Sequence, residues 1–347
     1  MNPLARRVTL LPVILLGLAL LSPARPAGAD TPLPAAWHYA AQPSLFDYDR
    51  TAPLDLQVTD TLAVAVRDVL VQRVTYASPV DGRVTASIVA PVRAGAAARE
   101  RLAGVVFMHW GQGDRSEFLW EATLLARAGA VCVLLDAPWA RPAPWTQYGE
   151  SPRNPGATRQ SYVQNIVDLR RAVDLLTARA DVDPARLAYV GHSYGATQGG
   201  VLAGVEPRFR TFVLIAGLPS LVDTTLGGAP KYDAYQAALA HAVPREQWQA
   251  YCDSIGPLTP ALYVGHATPA SVFMQFGTAD SWISPGAAEA YFAAANQPKT
   301  MRRYTCSHEF NDLRALVDRD EWLHEEIGLR PVTPLLEGVL RQRPDGR

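Results

Sequence analysis

Cysteine is scarce. Only Cys132, Cys252 and Cys306 occur in 347 residues, too few for a disulfide scaffold and without the C-x-x-C spacing of a zinc site or redox pair. Cys132 lies in an apolar run and reads as a small buried hydrophobe, whereas export to an oxidising compartment would leave a Cys252–Cys306 disulfide open. Lysine is scarcer still. Lys231 and Lys299 are the only two, and neither closes a G-x-x-x-x-G-K loop, so no nucleotide cofactor is indicated. An excess of one charge is also missing: 32 basic residues face 33 acidic ones, a net charge of -1 that generates no field for phosphate backbones or anionic lipid. Nucleic-acid binding is thereby excluded as a main role. His109 and His192 show neither H-x-x-x-H nor carboxylate spacing, so no metal is expected. With 48% hydrophobic and 19% charged residues, the chain is far too apolar for disorder, and one or two globular domains are expected.

No apolar run is long enough to span a bilayer comfortably. The run Val8 to Leu21 follows Arg6 and Arg7 and precedes Ala27-Gly28-Ala29, so residues 1–29 have the basic, apolar and small-residue parts of a cleavable export signal. Cleavage would leave Asp30 first and place the mature protein in the periplasm or outside the cell, without stable membrane insertion. Because Arg6, Arg7 and Arg25 leave with the signal and no acid does, the mature chain would carry 29 basic against 33 acidic residues.

Residues 30–68 form a Pro-rich and aromatic lead without clear period, expected to run extended over the surface. Val69 to Pro79 and Arg83 to Val92 flank the turn-forming Val80-Asp81-Gly82 and predict an antiparallel hairpin. Apolar strands then alternate with helical patterns: Gly104 to His109, Ala130 to Asp136, Leu187 to Gly191, Thr211 to Ala216, Ser271 to Phe276 and Thr300 to Thr305. That alternation predicts parallel βαβ units, with helices on both faces of the sheet. Ile166, Leu169, Val173, Leu176 and Ala180 recur at helical spacing and predict a stripe packed on it. Residues 218–270 break the rhythm and read as an insertion that partly caps the ligand crevice; residues 331–347 read as a C-terminal tail.

Leu187 to Ala196 run as a strand into Gly191-His192-Ser193-Tyr194-Gly195 and then into a helix, the G-x-S-x-G pattern of a nucleophile elbow. Glycines flank the serine because side chains there would strike neighbouring backbone, and Ser193 would stand at a helix N-terminus where free amides favour negative charge. By this elbow and the order of elements after it, residues 69–330 resemble the α/β-hydrolase superfamily. The hairpin, the loop His109-Trp110-Gly111-Gln112-Gly113-Asp114 and the short cap look like the branch of dienelactone hydrolases, acetyl esterases and prolyl-oligopeptidase-like peptidases.

The resemblance implies an α/β fold with a mostly parallel eight-stranded sheet and a chain order of Ser, acid, His. Asp280, after the strand that follows the cap, is the expected acid, and His308, 28 residues on, the expected base. A serine hydroxyl needs an imidazole to take its proton, and the imidazole needs a carboxylate to fix its tautomer. Asp223 and Asp253 are the substitute acids, and Asp136 is expected to organise loops. The oxyanion hole is expected from the amides of Tyr194 and Gly111, with Gln112 next; Trp110 stands where the family usually has glycine and reads as a pocket wall. His192 reads as the variable elbow residue and His109 as orienting its loop. Trp110, Gln112 and Trp282 are expected to bind substrate, and Trp120, Trp139, Trp145, Tyr148 and Tyr194 to gather near the mouth.

These residues point to a secreted or periplasmic serine esterase acting on small-molecule or carbohydrate esters, without cofactor. A dienelactone hydrolase proper would be expected to use cysteine where this chain has Ser193, and the residues before the hairpin cannot build the propeller usual in the related peptidases. A serine peptidase and a catalytically idle binding protein on the same fold are the alternatives.

Overall fold

The computed structural model describes residues 38–62, 68–92, 100–147, 149–223 and 226–341, which places the export signal and Tyr148 outside the described residues. Nine strands form one sheet: β1 (Gln57–Leu62), β2 (Val69–Ala77), β3 (Arg83–Pro91), β4 (Leu102–Met108), β5 (Ala130–Leu135), β6 (Val182–His192), β7 (Thr211–Ile215), β8 (Ser271–Gly277) and β9 (Lys299–Tyr304). Their spatial order is β1-β2-β3-β5-β4-β6-β7-β8-β9. The β1–β2, β2–β3 and β3–β5 pairs are antiparallel and every later pair is parallel.

The count exceeds the expected eight because β1 lies within the stretch read as an extended lead. Its sequence Gln-Val-Thr-Asp-Thr-Leu is polar, and all but its last residue are exposed at the sheet edge. A strand that buries neither face writes no apolar alternation. Before it, two short helical turns, Tyr39–Ala41 and Pro43–Phe46, tuck Phe46 fully into the core.

Every residue of β4 and β5 is buried, as their unbroken apolar sequences require when helices cover both faces. Around them lie α1 (Leu119–Ala128), α2 (Pro155–Thr177), α3 (Tyr194–Val205), α4 (Pro230–His241), α5 (Arg245–Ile255), α6 (Pro285–Ala294), α7 (Leu313–Ile327) and α8 (Thr333–Arg341). Strand periodicity sorts the faces. Phe107 of β4 packs its ring 5.0 Å from that of Phe118 beside α1, whereas Gly104, three residues away and so on the other face, points at Leu176 of α2. Arg319 of α7 pairs with Glu121 of α1, which puts these two helices together.

Helix α2 starts on a side-chain cap, Asn154 accepting from Ala157 N at 3.1 Å, with Pro155 at the first position. Ile166, Leu169, Val173 and Leu176 are buried along its stripe, but the helix ends at Thr177, so Ala180 lies beyond it and is exposed. Its core face also carries Asp168, which meets Arg141 at 2.6 Å with both side chains essentially sealed from solvent. The stretch read as a tail contains α8, anchored by buried Val332 and Leu336. All three cysteines are free, so the Cys252–Cys306 disulfide left open by the sequence is not formed.

Candidate active site

Strand β6 lies near the middle of the sheet and ends at His192; α3 begins at Tyr194, so Ser193 alone makes the turn, with φ 52° and ψ -108°. Such a backbone is costly for a residue with a side chain and persists only where its surroundings over-determine it. Here they do. Ser193 N donates to Ile215 O at 2.7 Å, Gly195 N to His109 O at 3.1 Å, and Thr197 N to Ser193 O at 2.8 Å. The two glycines are steric requirements: a β-carbon on Gly195 would stand 2.1 Å from Met108 O, and one on Gly191 would stand 2.5 Å from the Gly195 carbonyl. The elbow is pressed against β4, and only glycine fits between.

Three side chains from three different turns meet there. His308 Nε2 is 2.8 Å from Ser193 Oγ, and His308 Nδ1 is 2.8 Å from Asp280 Oδ2. The carboxylate can only accept, so Nδ1 carries the proton and Nε2 presents its lone pair to the serine hydroxyl. The other oxygen of Asp280 accepts from Trp282 N at 2.7 Å and Ile283 N at 3.0 Å. Asp280 therefore caps its own turn with one oxygen and holds His308 with the other. Its side chain is wholly buried and that of His308 nearly so. The loops after β8 and β9 are tied together by Thr278 N to Tyr304 O and Ala279 N to Cys306 O, which sets the spacing of acid and base. Asp253 is spent on Gln249 of its own helix, α5.

Asp136 holds the loop after β4, accepting from Thr85 Oγ1 and from the backbone and guanidinium of Arg115. His109 braces the same loop. Its Nε2 accepts from Ala137 N at 2.9 Å, so Nδ1 is protonated and donates to Trp110 O at 2.6 Å. Burial holds its pKa below the usual histidine value, which favours this neutral tautomer.

Trp110 N donates to Glu117 Oε2 at 2.7 Å and is thus occupied, whereas Gly111 and Gln112 border the cavity. A methyl built on Gly111 would lie 3.9 Å from Tyr194 Cβ, so the Gly111 backbone runs beside the first residue of α3, where amides have no intrahelical acceptor. The Trp110 indole stacks on His192 with centroids 5.6 Å apart.

His192 is more than a variable elbow position. Its Nδ1 lies 2.6 Å from Glu117 Oε1 and its Nε2 donates to the His308 carbonyl at 2.8 Å. Glu117 and His192 together join the Trp110 loop to the His308 loop beneath the nucleophile. Sequence reasoning passed over Glu117, which sits seven residues after Trp110 with no motif to mark it.

Ser193, Tyr194, Gly111, Gln112, Trp110, Trp282 and His308 all border one cavity of about 300 Å³. Of the other expected mouth aromatics, Trp139 borders it as well. Trp120 is about half exposed on a different groove, and Trp145 packs over Gly82 in the hairpin turn. The wall also includes Glu150 with Tyr162, Leu218, Leu221, Tyr232, Tyr235 and Gln236, none of them expected at the site from the sequence. Leu218, Leu221 and the α4 residues come from the insertion between β7 and β8.

No protein-family model matches the chain, and no curated protein matches it. Among solved structures, the chain is similar to an acetyl xylan esterase from Paenibacillus sp. R4 (17% identity over 79% of this chain and 89% of that one, TM-score 0.69). It is likewise similar to acetyl xylan esterase 1 from Thermoanaerobacterium sp. JW/SL YS485 (16% identity, 80% and 89%, TM-score 0.60). A third likeness is to a putative dienelactone hydrolase from Klebsiella pneumoniae subsp. pneumoniae MGH 78578 (16% identity, 75% and 98%, TM-score 0.53). At these identities the likeness establishes the fold, the α/β-hydrolase fold.

Proposed function

We propose that this α/β-hydrolase-fold chain is a secreted or periplasmic serine esterase that cleaves carboxylic esters through an acyl-enzyme on Ser193. The observation that carries the reading is the unbroken Asp280–His308–Ser193 chain of hydrogen bonds, two contacts of 2.8 Å, opening on a cavity beside a helix N-terminus. Ser193 Oγ attacks the ester carbonyl while its proton passes to His308 Nε2, and Asp280 stabilises the imidazolium. The carbonyl oxygen becomes an oxyanion held by the amides of Tyr194 and Gly111. Collapse breaks the bond to the alcohol, which leaves with the proton from His308. Water then attacks the acyl-enzyme and gives one proton to His308, which passes it to Ser193 Oγ as the bond to the acyl group breaks and the acid leaves.

The similar structures, two acetyl xylan esterases among them, agree with an ester substrate of small acyl size. Turnover of p-nitrophenyl acetate and labelling by a fluorophosphonate test the reading, with Ser193→Ala as the control. Loss of both signals in Ser193→Ala is the expected result; equal turnover by both proteins removes the enzyme claim. Cleavage of aminoacyl amides with esters left intact would make the protein a peptidase instead. The intact mass of the exported protein should begin at Asp30, and a mass that includes residues 1–29 refutes cleavage of the signal.

A further inference from the structure

Most deeply placed carboxylates of this protein have an arginine: Glu121 has Arg319, Asp136 has Arg115, Asp168 has Arg141, and Glu206 has Arg208. Glu150 has none. Among the described residues it forms no ion pair, although it faces the cavity that contains Ser193. What surrounds it is phenolic. Tyr235 Oη donates to Glu150 Oε2 at 2.8 Å, Tyr251 Oη donates to Oε1, and the Tyr162 hydroxyl is a third phenol hydrogen-bonded to the same carboxylate. The three phenols favour its anion, while burial with no cation beside it raises its pKa above the ordinary glutamate value.

The rest of this wall suits a positive charge. Among the described residues, no lysine or arginine borders the cavity. Trp139, Tyr232, Tyr235 and Trp282 present aromatic surface, and Tyr235 meets Trp282 edge to face with centroids 5.9 Å apart. Gln236 spends its amide nitrogen on Leu221 O, which leaves its buried Oε1 without a partner; the buried Tyr194 hydroxyl also lacks one. A carboxylate, unpaired oxygen acceptors and aromatic faces in one concave site are the components that bind alkylammonium groups.

We propose that the Glu150 wall is a subsite for an alkylammonium group of the ester substrate, with Glu150 as its counter-ion. This rests on the esterase reading for its consequence in turnover, but not for binding itself. In the occupied site the ligand supplies the missing cation, and an ester bearing a carboxylate at the same place is repelled.

Two pairs of esters test it in turnover, each pair differing only in charge. One is acetylcholine against 3,3-dimethylbutyl acetate. The other is p-nitrophenyl 4-(trimethylammonio)butanoate against p-nitrophenyl 5,5-dimethylhexanoate, which places the charge on the acyl side. The cationic member of at least one pair should show a kcat/KM about 10- to 100-fold higher, the range of a desolvated cation held by charge and aromatic faces without a hydrogen bond. In Glu150→Gln, which keeps the shape but not the charge, that ratio should fall to within about threefold of unity. Calorimetric binding of choline against 3,3-dimethyl-1-butanol to the wild-type protein reads the same preference without catalysis or mutation. Choline binding with no turnover of any ester would sink the esterase reading and leave the subsite standing. Equal affinity for choline and the neutral alcohol, or an unchanged ratio in Glu150→Gln, overturns the proposal.

Discussion

Among the described glycines the tightest approach to another backbone is at Gly195, and Gly195→Ala turns it into a measurement. The added methyl would lie 2.1 Å from Met108 O, 2.8 Å from Met108 C and 3.1 Å from His109 O, all backbone atoms of β4 and the loop after it. Carbon and oxygen need about 3 Å or more, so the elbow and β4 must separate by about 1 Å; no side chain can swing aside to make room. The separation would stretch the bond from Gly195 N to His109 O and carry Ser193 Oγ and the Tyr194 amide away from His308 and Gly111. A displacement of that size costs about 100-fold in rate, and overpacking of this kind about 1–3 kcal/mol. For a domain of about 300 residues that lowers the melting temperature by roughly 2–5 °C. Gly111→Ala is the matched control. Its methyl would meet only Tyr194 Cβ at 3.9 Å, ordinary contact, and the backbone amide is retained. The assay is kcat/KM on p-nitrophenyl acetate with active sites counted by fluorophosphonate, alongside thermal melts by circular dichroism. Wild-type rate and melting temperature in Gly195→Ala, or equal losses in both variants, would refute the steric reasoning.

Other expectations follow from single contacts. Glu117→Ala removes the acceptor shared by Trp110 N and His192, so kcat should drop about 10- to 100-fold with KM within about threefold, while folding persists; an unchanged kcat denies the brace any positioning role. Arg141→Met leaves Asp168 buried without its cation and should cost about 3–5 kcal/mol in urea denaturation, whereas the exposed change Arg314→Met should leave the midpoint close to wild type. His109 has a folded pKa lowered by burial, so from about pH 6.5 downward the unfolded chain binds the extra proton. The stability it contributes is therefore present above about pH 6.5 and lost as pH falls toward the folded value. The stability advantage of wild type over His109→Asn should shrink between pH 7.5 and 5; a constant difference contradicts a neutral His109.

Local pattern carried a good part of the fold. Eight of the nine described strands were legible from their runs and flanking turn residues, although β6 begins at Val182, five residues before its apolar run, and β9 buries only Tyr304. The elbow was legible because its glycines and serine are adjacent in the chain, so one local steric problem writes itself into five consecutive letters. Asp280 and His308 were found only through the order of elements around them, since 28 residues separate the pair and nothing in between encodes a contact. Strand β1 escaped because a polar edge strand is selected by pairing with β2 and not by burial.

The sequence by itself determined a parallel sheet, a serine at its strand-to-helix turn, and an acid and a histidine in the loops at the same end of the sheet. Only the tertiary structure decided what lies around them. Glu117 becomes a brace because the end of β6 and the β4 loop converge on it, and His192 gains a task because the His308 carbonyl comes within 2.8 Å. The Glu150 wall draws on α2, α3, α4 and α5 together with a loop, residues as many as 101 positions apart in one hydrogen bond. Periodicity reports which face of one element is buried. Which side chains from different elements share a cavity is set by how helices cross and loops close, and that information exists only once the chain has folded.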